Sequence, residues 1–228
     1  MNTEDGFRIS VIIPTLNEAG SIEAILTDLK PLREAGHEVI VVDGGSNDTT
    51  TGLASRFADR VIQSSAGRAT QMNRGAAAAS GELLWFLQAD TRVPAEAAHI
   101  LQPAAAEGDW GRFEVRLSGK LPLVRLVEEM MCLRSRLTGI ATGDQGIFVR
   151  QQLFRRTGGF PEIPLMEDIA LSKILRSIQR PLCLRQRLET SSRRWEERGI
   201  VRTILLMWRL RLAYFFGADP VELARRYA

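Results

Sequence analysis

Acids released at the ends of apolar runs are the first chemical signal in this chain. Leu83-Leu84-Trp85-Phe86-Leu87-Gln88-Ala89-Asp90-Thr91 is continuous in apolar character until it stops at an acid and a hydroxyl. A run of this kind reads as a strand buried on both faces of a parallel sheet. In open α/β sheets ligands bind at the carboxyl ends of the strands, so Asp90 stands where a metal or a substrate would be held. The same acid could instead open the turn before Pro94, a common use of Asp. Val39-Ile40-Val41-Val42-Asp43 repeats the pattern and runs into Gly44-Gly45-Ser46. Glycines there let the backbone approach a ligand, and the next helix offers unpaired N–H groups. Further on, Glu167 and Asp168 open a helix, where acids serve either chemistry or the helix dipole.

These residues need a scaffold, and the local pattern supplies one. Ile9–Pro14 reads as a strand followed by the polar turn Thr15-Leu16-Asn17-Glu18 and a helix over 21–29. Strands over 39–43, 60–63 and 83–87 alternate with helices ending near Phe57 and running over 67–80. That alternation predicts a parallel, doubly wound sheet, because parallel neighbours need a crossover that is usually helical. After a helix opened by Pro94, Trp110–Leu117 alternates as a half-exposed strand, and the sheet is expected to become mixed there. An amphipathic helix over 121–137, a loop and strand over 143–150, a turn at Gly158-Gly159-Phe160-Pro161 and a helix to Ile178 follow. Helices are expected over 200–216 and after Asp219-Pro220-Val221-Glu222, which reads as a capping box.

Composition bounds the partners. The chain has 228 residues, 45% of them hydrophobic and 25% charged, enough for one large globular domain or a domain with an extension. Residues 1–150 carry 15 Lys/Arg against 19 Asp/Glu, a net of −4, whereas residues 151–228 carry 15 against 8, a net of +7. The basic third suits phosphate groups, an anionic acceptor or an acidic membrane surface. No spacing of basic and aromatic residues suggests nucleic-acid binding. Cys132 and Cys183 lack CxxC spacing and read as reduced core thiols, and no signal-peptide pattern opens the sequence, so the expected compartment is the cytoplasm. Neither GxGxxG nor a P-loop is present.

Taken in order, PTLNE, VVDGGSNDTT, GRATQMNRGAAAASGELLWFLQAD, GGFP and MEDIAL resemble the inverting family 2 glycosyltransferases over nearly the whole chain. GDQGIFVR, GGFPEIPLMEDIALSKIL and the stretch from Ser191 to Pro220 are similar to a bacterial subgroup labelled arsenosugar-biosynthesis or radical-SAM/selenodomain-associated. The resemblance implies a GT-A fold, with a Rossmann-like, mostly parallel central sheet flanked by helices over 1–195 and a C-terminal helical extension over 196–228. It also implies a UDP- or GDP-linked sugar donor, a divalent cation such as Mg2+ or Mn2+, and transfer with inversion to an acceptor it does not name. By position, Pro14, Thr15, Asn17 and Glu18 would line the nucleoside pocket beside Ser46. Asp43 would accept from the base, and Arg68 and Asn73 would reach ribose or phosphate. Asp144, Gln145, Glu167, Arg194 and Trp195 would complete the substrate site.

Two carboxylate tasks follow from such a reaction. A hard cation on the donor diphosphate needs an oxygen ligand, which suits Asp90. The acceptor needs a general base on the opposite face of the sugar, which suits Asp168. Three motifs depart from the family pattern. The usual Asp-x-Asp is Gln88-Ala89-Asp90, the second acid of VDD is Gly44, and QxxRW reads SxxRW at Ser191 to Trp195. Two other readings share these residues: a nucleotide-sugar-binding protein without catalysis, and a sugar-phosphate nucleotidyltransferase, which would need a basic Gly-rich loop where Asn17 and Glu18 stand.

The helix over 198–216 is too interrupted by arginine to span a bilayer. On a helical projection Arg198, Arg202 and Arg209 cluster, Val201, Leu205, Trp208, Leu212 and Phe216 form an apolar stripe, and Arg211 falls outside the basic cluster. Such a helix either packs on the domain or a partner subunit, a homodimer included, or lies on the inner face of a membrane.

Overall fold

The computed structural model describes residues 7–119, 121–192 and 199–227. The strands are β1 (Ile9–Thr15), β2 (Glu38–Asp43), β3 (Arg60–Gln63), β4 (Leu83–Phe86), β5 (Trp110–Leu117), β6 (Phe148–Arg150) and β7 (Leu182–Thr190). Between them lie α1 (Ile22–Asp28), α2 (Lys30–Glu34), α3 (Thr50–Phe57), α4 (Arg68–Ala78), α5 (Ala97–Glu107), α6 (Pro122–Thr138), α7 (Gln151–Arg156) and α8 (Glu167–Ile178). Two more helices, α9 (Ile200–Phe215) and α10 (Pro220–Tyr227), follow β7. The strands form one sheet in the order β3-β2-β1-β4-β6-β5-β7.

β1 pairs in parallel with β2 and β4, β2 with β3, and β5 with β7, while β6 runs antiparallel to both β4 and β5. The parallel half and the change to a mixed sheet agree with the sequence reading. The reversal of β6 organises the site. Because β6 runs against its neighbours, the loop before it arrives at the same edge where β1, β2 and β4 end.

Apolar layers cover both faces of the sheet. Val11, Ile13 and Trp85 pack on one side with α1 and α5, and Ile12, Val42 and Phe86 pack on the other with α4, Phe154 and Phe160. Helix α4 lies very close to the sheet at Gly75, where a Cβ would stand 2.4 Å from Ile12 Cγ2.

Two expectations are corrected, and one strand is added. β5 is not half-exposed: only Arg116 of its eight residues is exposed. Its alternation reflects polar groups satisfied inside the protein, since Arg112 donates to the carbonyls of Phe113 and Cys132, and Glu114 is met by Arg136 and Arg187. β7 occupies Leu182–Thr190, a stretch that the sequence reading left unassigned. Arg185, Gln186 and Arg187 are exposed on this edge strand, and such charges mask its pattern while discouraging edge-to-edge pairing. The expected capping box before α10 is half formed: Asp219 accepts from the Val221 N–H at 2.9 Å, but Glu222 pairs forward with Arg226.

The C-terminal helices pack on the body. Ile200 and Ile204 join Val124, Val127 and Met131, and Leu206, Leu210 and Tyr214 join Ile140, Met166 and Ile169. The packing face is therefore not the predicted stripe, because Val201, Leu205, Trp208, Leu212 and Phe216 are all exposed. Among the described residues no helix is long and apolar enough to cross a membrane.

Candidate active site

The loops after β1 and β2 are stitched into one wall. Asn17 adopts φ 56°, its N–H donates to Ser46 Oγ at 2.9 Å, and its Oδ1 accepts from the Asn47 N–H at 3.0 Å. The Glu18 N–H donates to Thr50 Oγ1 at 2.8 Å. Asp43 is buried and accepts from the N–H groups of Gly45 and Ser46 at 3.0 and 2.9 Å and from the Ser46 hydroxyl. Burial alone would raise its pKa, but those donors outweigh it and hold the carboxyl below the ordinary range. Behind the wall, buried Gln71 donates from Nε2 to the carbonyls of Thr15 and Val42, both at 2.8 Å. Sequence reading missed Gln71, whose neighbours in α4 gave no sign that an amide would tie two strand ends together.

The opposite wall holds the acids. Gln88 follows β4 and donates from Nε2 to Asp144 Oδ1 at 2.7 Å. Asp144 sits in the short 3-10 turn Gly143–Gln145 that precedes β6. The same turn reaches α8, where the Gly143 N–H donates to Asp168 Oδ2 at 2.8 Å and the Ile169 N–H to Asp168 Oδ1 at 2.7 Å. Gly143 is another residue the sequence left unmarked. A Cβ there would stand 2.3 Å from Arg68 Nη2 and 3.0 Å from Gln88 Nε2, so a side chain at this position would displace those two ends. Asp90 is half-buried beyond β4, and the Thr190 hydroxyl at the end of β7 lies 3.5 Å from its Oδ1.

Arg68 stands among these carboxylates, its Nε 3.1 Å from Glu167 Oε1. Its side chain is 47% exposed, and the charges of Glu167, Asp168, Asp144 and Asp90 raise its pKa against partial desolvation. Glu167 is almost wholly buried. Its carboxyl lies above the ordinary range through burial first, with the charges of Asp168 and Asp144 adding to the rise and Arg68 opposing it. Met166, just before it, is held at φ 71°. Among the described residues Asn17 and Met166 are the two non-glycine positions with positive φ, and they flank the site from opposite walls. Strained backbone of this kind concentrates where geometry serves function.

Between the walls runs one cleft. Pro14, Arg68, Gln88, Gly143 and Asp168 line it over an apolar floor of Met72, Phe86 and Phe160. Most of the expected residues meet here or in the adjoining loops. Gln145 is buried beside them, with Oε1 accepting from the Thr142 N–H at 3.1 Å. Asn73 is elsewhere engaged: it donates to the Phe160 carbonyl at 2.8 Å and accepts from the Phe160 N–H at 2.9 Å, clamping the glycine turn. Arg194 and Trp195 lie outside the described residues.

The sheet with one reversed strand has the fold of GT-A structures, as structural comparison shows. S. aureus TarS in complex with UDP-GlcNAc matches with a TM-score of 0.65 at 22% identity, over 81% of this chain and 58% of that one. The mannosyltransferase PcManGT from Pyrobaculum calidifontis, in complex with GDP-Man and Mn2+, matches with a TM-score of 0.65 at 21% identity, over 98% of this chain and 69% of that one. Residues 10–121 match the family described as Glycosyl transferase family 2. A PGL/p-HBAD biosynthesis glycosyltransferase of Mycobacterium bovis is 40% identical over 88 residues, covering 36% of this chain. The chain spans about a third of the length of that relative, 34%.

Proposed function

We propose that the protein is an inverting glycosyltransferase that moves a sugar from a nucleoside-diphosphate donor to an acceptor hydroxyl. The observation that carries this reading is the convergence at the carboxyl edge of the sheet. There the Gln88–Asp144 and Gly143–Asp168 hydrogen bonds draw three distant segments around Arg68. The donor's nucleoside would lie against Pro14, Thr15, Asn17, Glu18 and Asp43, and its diphosphate would face Arg68. Structural neighbours solved with UDP-GlcNAc or GDP-Man support a UDP- or GDP-linked donor here. The finer likeness to the arsenosugar- or selenodomain-associated subgroup rests on the motifs around Asp144 and Asp168.

A divalent cation, Mg2+ or Mn2+, is part of the same reading. A hard cation takes oxygen ligands. Among the described residues no group of three or more His, Cys, Asp or Glu stands together to cage one. Half-buried Asp90, with the Thr190 hydroxyl 3.5 Å from its Oδ1, would be the protein's ligand in an open site that donor diphosphate oxygens complete. Bound there, the cation would neutralise charge on the departing diphosphate. Asp168, oriented through both carboxylate oxygens by backbone N–H groups, would accept the acceptor's proton as its oxygen attacks the anomeric carbon. The free thiols Cys132 and Cys183 suit a reducing, cytoplasmic setting.

The test is a thermal-shift screen of nucleotide sugars with and without Mn2+, followed by a turnover assay on any donor that stabilises the protein. Stabilisation by one donor with Mn2+ and release of its nucleoside diphosphate are the expected results. Binding without turnover over a broad panel of acceptors and water would favour the non-catalytic reading, to which the turn of Gln88 toward Asp144 lends support.

A further inference from the structure

The surface of the described residues is unevenly apolar. Of the fifteen large hydrophobic side chains that stand exposed, twelve lie on α6 and α9 or immediately at their ends, so the apolar surface is concentrated on two helices. On α6 they recur every three or four residues from Leu123 to Leu137, and on α9 from Val201 to Phe215, with Trp208 56% and Phe215 73% exposed. The two helices are neighbours. Their inner faces share one core, Val124, Val127 and Met131 of α6 with Ile200 and Ile204 of α9. Two parallel-sided stripes of this size on adjacent helices mark an interaction surface.

Charge says what kind of partner fits. At about 100° per residue, Arg202 and Arg209 fall roughly 80–100° to one side of the α9 stripe and Arg211 about 80° to the other. Arginine thus borders the stripe on both sides, while the face opposite it packs on the protein. No acid occurs within α9. Arg134 of α6 faces Arg211, and burial together with that second cation pushes its guanidinium down to about 10. Arg134 Nε and Nη2 and Arg211 Nε are buried without a hydrogen-bond partner. The exposed guanidinium groups of Arg202 and Arg209 match phosphate oxygens in geometry.

We propose that α6 and α9 together dock on an anionic lipid surface, with both stripes entering the headgroup boundary and the exposed Arg202 and Arg209 meeting lipid phosphates. A second copy of the chain fits this face poorly, since it would bring a second set of α9 arginines against the first with no acid on α9 to pair with them. The inner side of α9, opposite the docked face, lies near the acid wall. Tyr214, on the inner side of α9, has its hydroxyl pushed above the ordinary range by burial and by the charge of Asp168.

The claim is independent of donor and reaction, so its test needs neither. The whole chain is floated with vesicles of phosphatidylcholine alone and of phosphatidylcholine mixed with phosphatidylglycerol, at low and high salt. Binding to the anionic vesicles, at least about tenfold weaker on neutral ones and weakened by salt, is expected. The double variant Trp208→Ser/Phe215→Ser should lose at least about tenfold in binding. Both side chains are exposed, so its far-UV spectrum should match the wild type. Absence of flotation on both vesicles, or equal flotation on both, would overturn the proposal. So would a dimer in sedimentation that the double variant dissolves, because the face would then join two copies of the chain.

Discussion

The two walls of the cleft treat their carboxylates in opposite ways. On the loop wall, Asp43 is buried but surrounded by donors from Gly45 and Ser46, and its charge is stabilised. On the acid wall, Glu167 is buried beside Asp168 and Asp144, with Arg68 as the nearest cation, and its charge is disfavoured. The first wall is finished before any ligand arrives. The second holds more negative charge than its arginine balances, which is the state in which a cation, a proton or a polarised acceptor hydroxyl finds a place. A binding surface gains from rigid, satisfied groups, whereas a chemical site gains from groups whose protonation can change.

The largest effect is expected at Asp168. Asp168→Asn should leave donor affinity near wild type and lower turnover by roughly 10²–10⁴, since a general base acts only in the transition state. Calorimetry and steady-state kinetics check the two halves, and a variant keeping more than about a tenth of the rate would move the role to Glu167 or Asp144. Asp90→Ala comes next. The Mn2+-dependent part of nucleoside-diphosphate binding should fall at least about tenfold, because Gln88 offers no charge in its place. Equal affinities of wild type and variant in Mn2+ would remove Asp90 from the cation site.

A smaller effect, on stability, contrasts the walls directly. Asp43 is held below its unfolded value, so the stability it adds is present above about pH 3.9 and is lost as pH falls through its lowered value. Glu167 is held above its unfolded value. The native state then binds its proton more tightly, and stability declines as pH climbs from about 4.3 through the raised value. Asp43→Asn should flatten the acid side of the stability curve, and Glu167→Gln should flatten the decline above it. Urea denaturation from about pH 3 to 8 measures both slopes, and slopes of the same sign would erase the contrast.

The smallest expected change concerns Asn73, which belongs to neither wall. Asn73→Ala removes two hydrogen bonds to Phe160 and should cost about 1–2 kcal/mol in stability while donor affinity stays within about twofold. A clear fall in donor affinity with stability preserved would return Asn73 to the ligand contact that its motif implies.

Much of the loop wall was legible in the sequence. β1 and β2 announce themselves by apolar runs, and Asn17 and Asp43 by standing where those runs stop, as β4 and Asp90 do for the opposite wall. Periodicity and strand-end polarity are local properties, and the right-handed crossover rule converts them into a parallel sheet with one ligand edge. The acid wall was legible in its members but not in its arrangement. Its decisive contacts join residues 56 apart, Gln88 to Asp144, and 25 apart, Gly143 to Asp168, and no local pattern encodes such pairings.

By itself the sequence determined the alternation of strands and helices, the order of the motifs and the identity of the acids, because each depends on neighbours within a few residues. Tertiary structure alone decided that β6 runs backwards and so brings the turn at Asp144 to the ligand edge. It also decided that the charged segment 182–190 pairs as an edge strand, since main-chain hydrogen bonding to β5 outweighs a side-chain pattern that hides it. Finally it decided which side of α9 meets the core. A helix with apolar residues on two sides can bury either, and the side that fits between α6 and Met166 left Val201, Leu205, Trp208 and Leu212 to the outside.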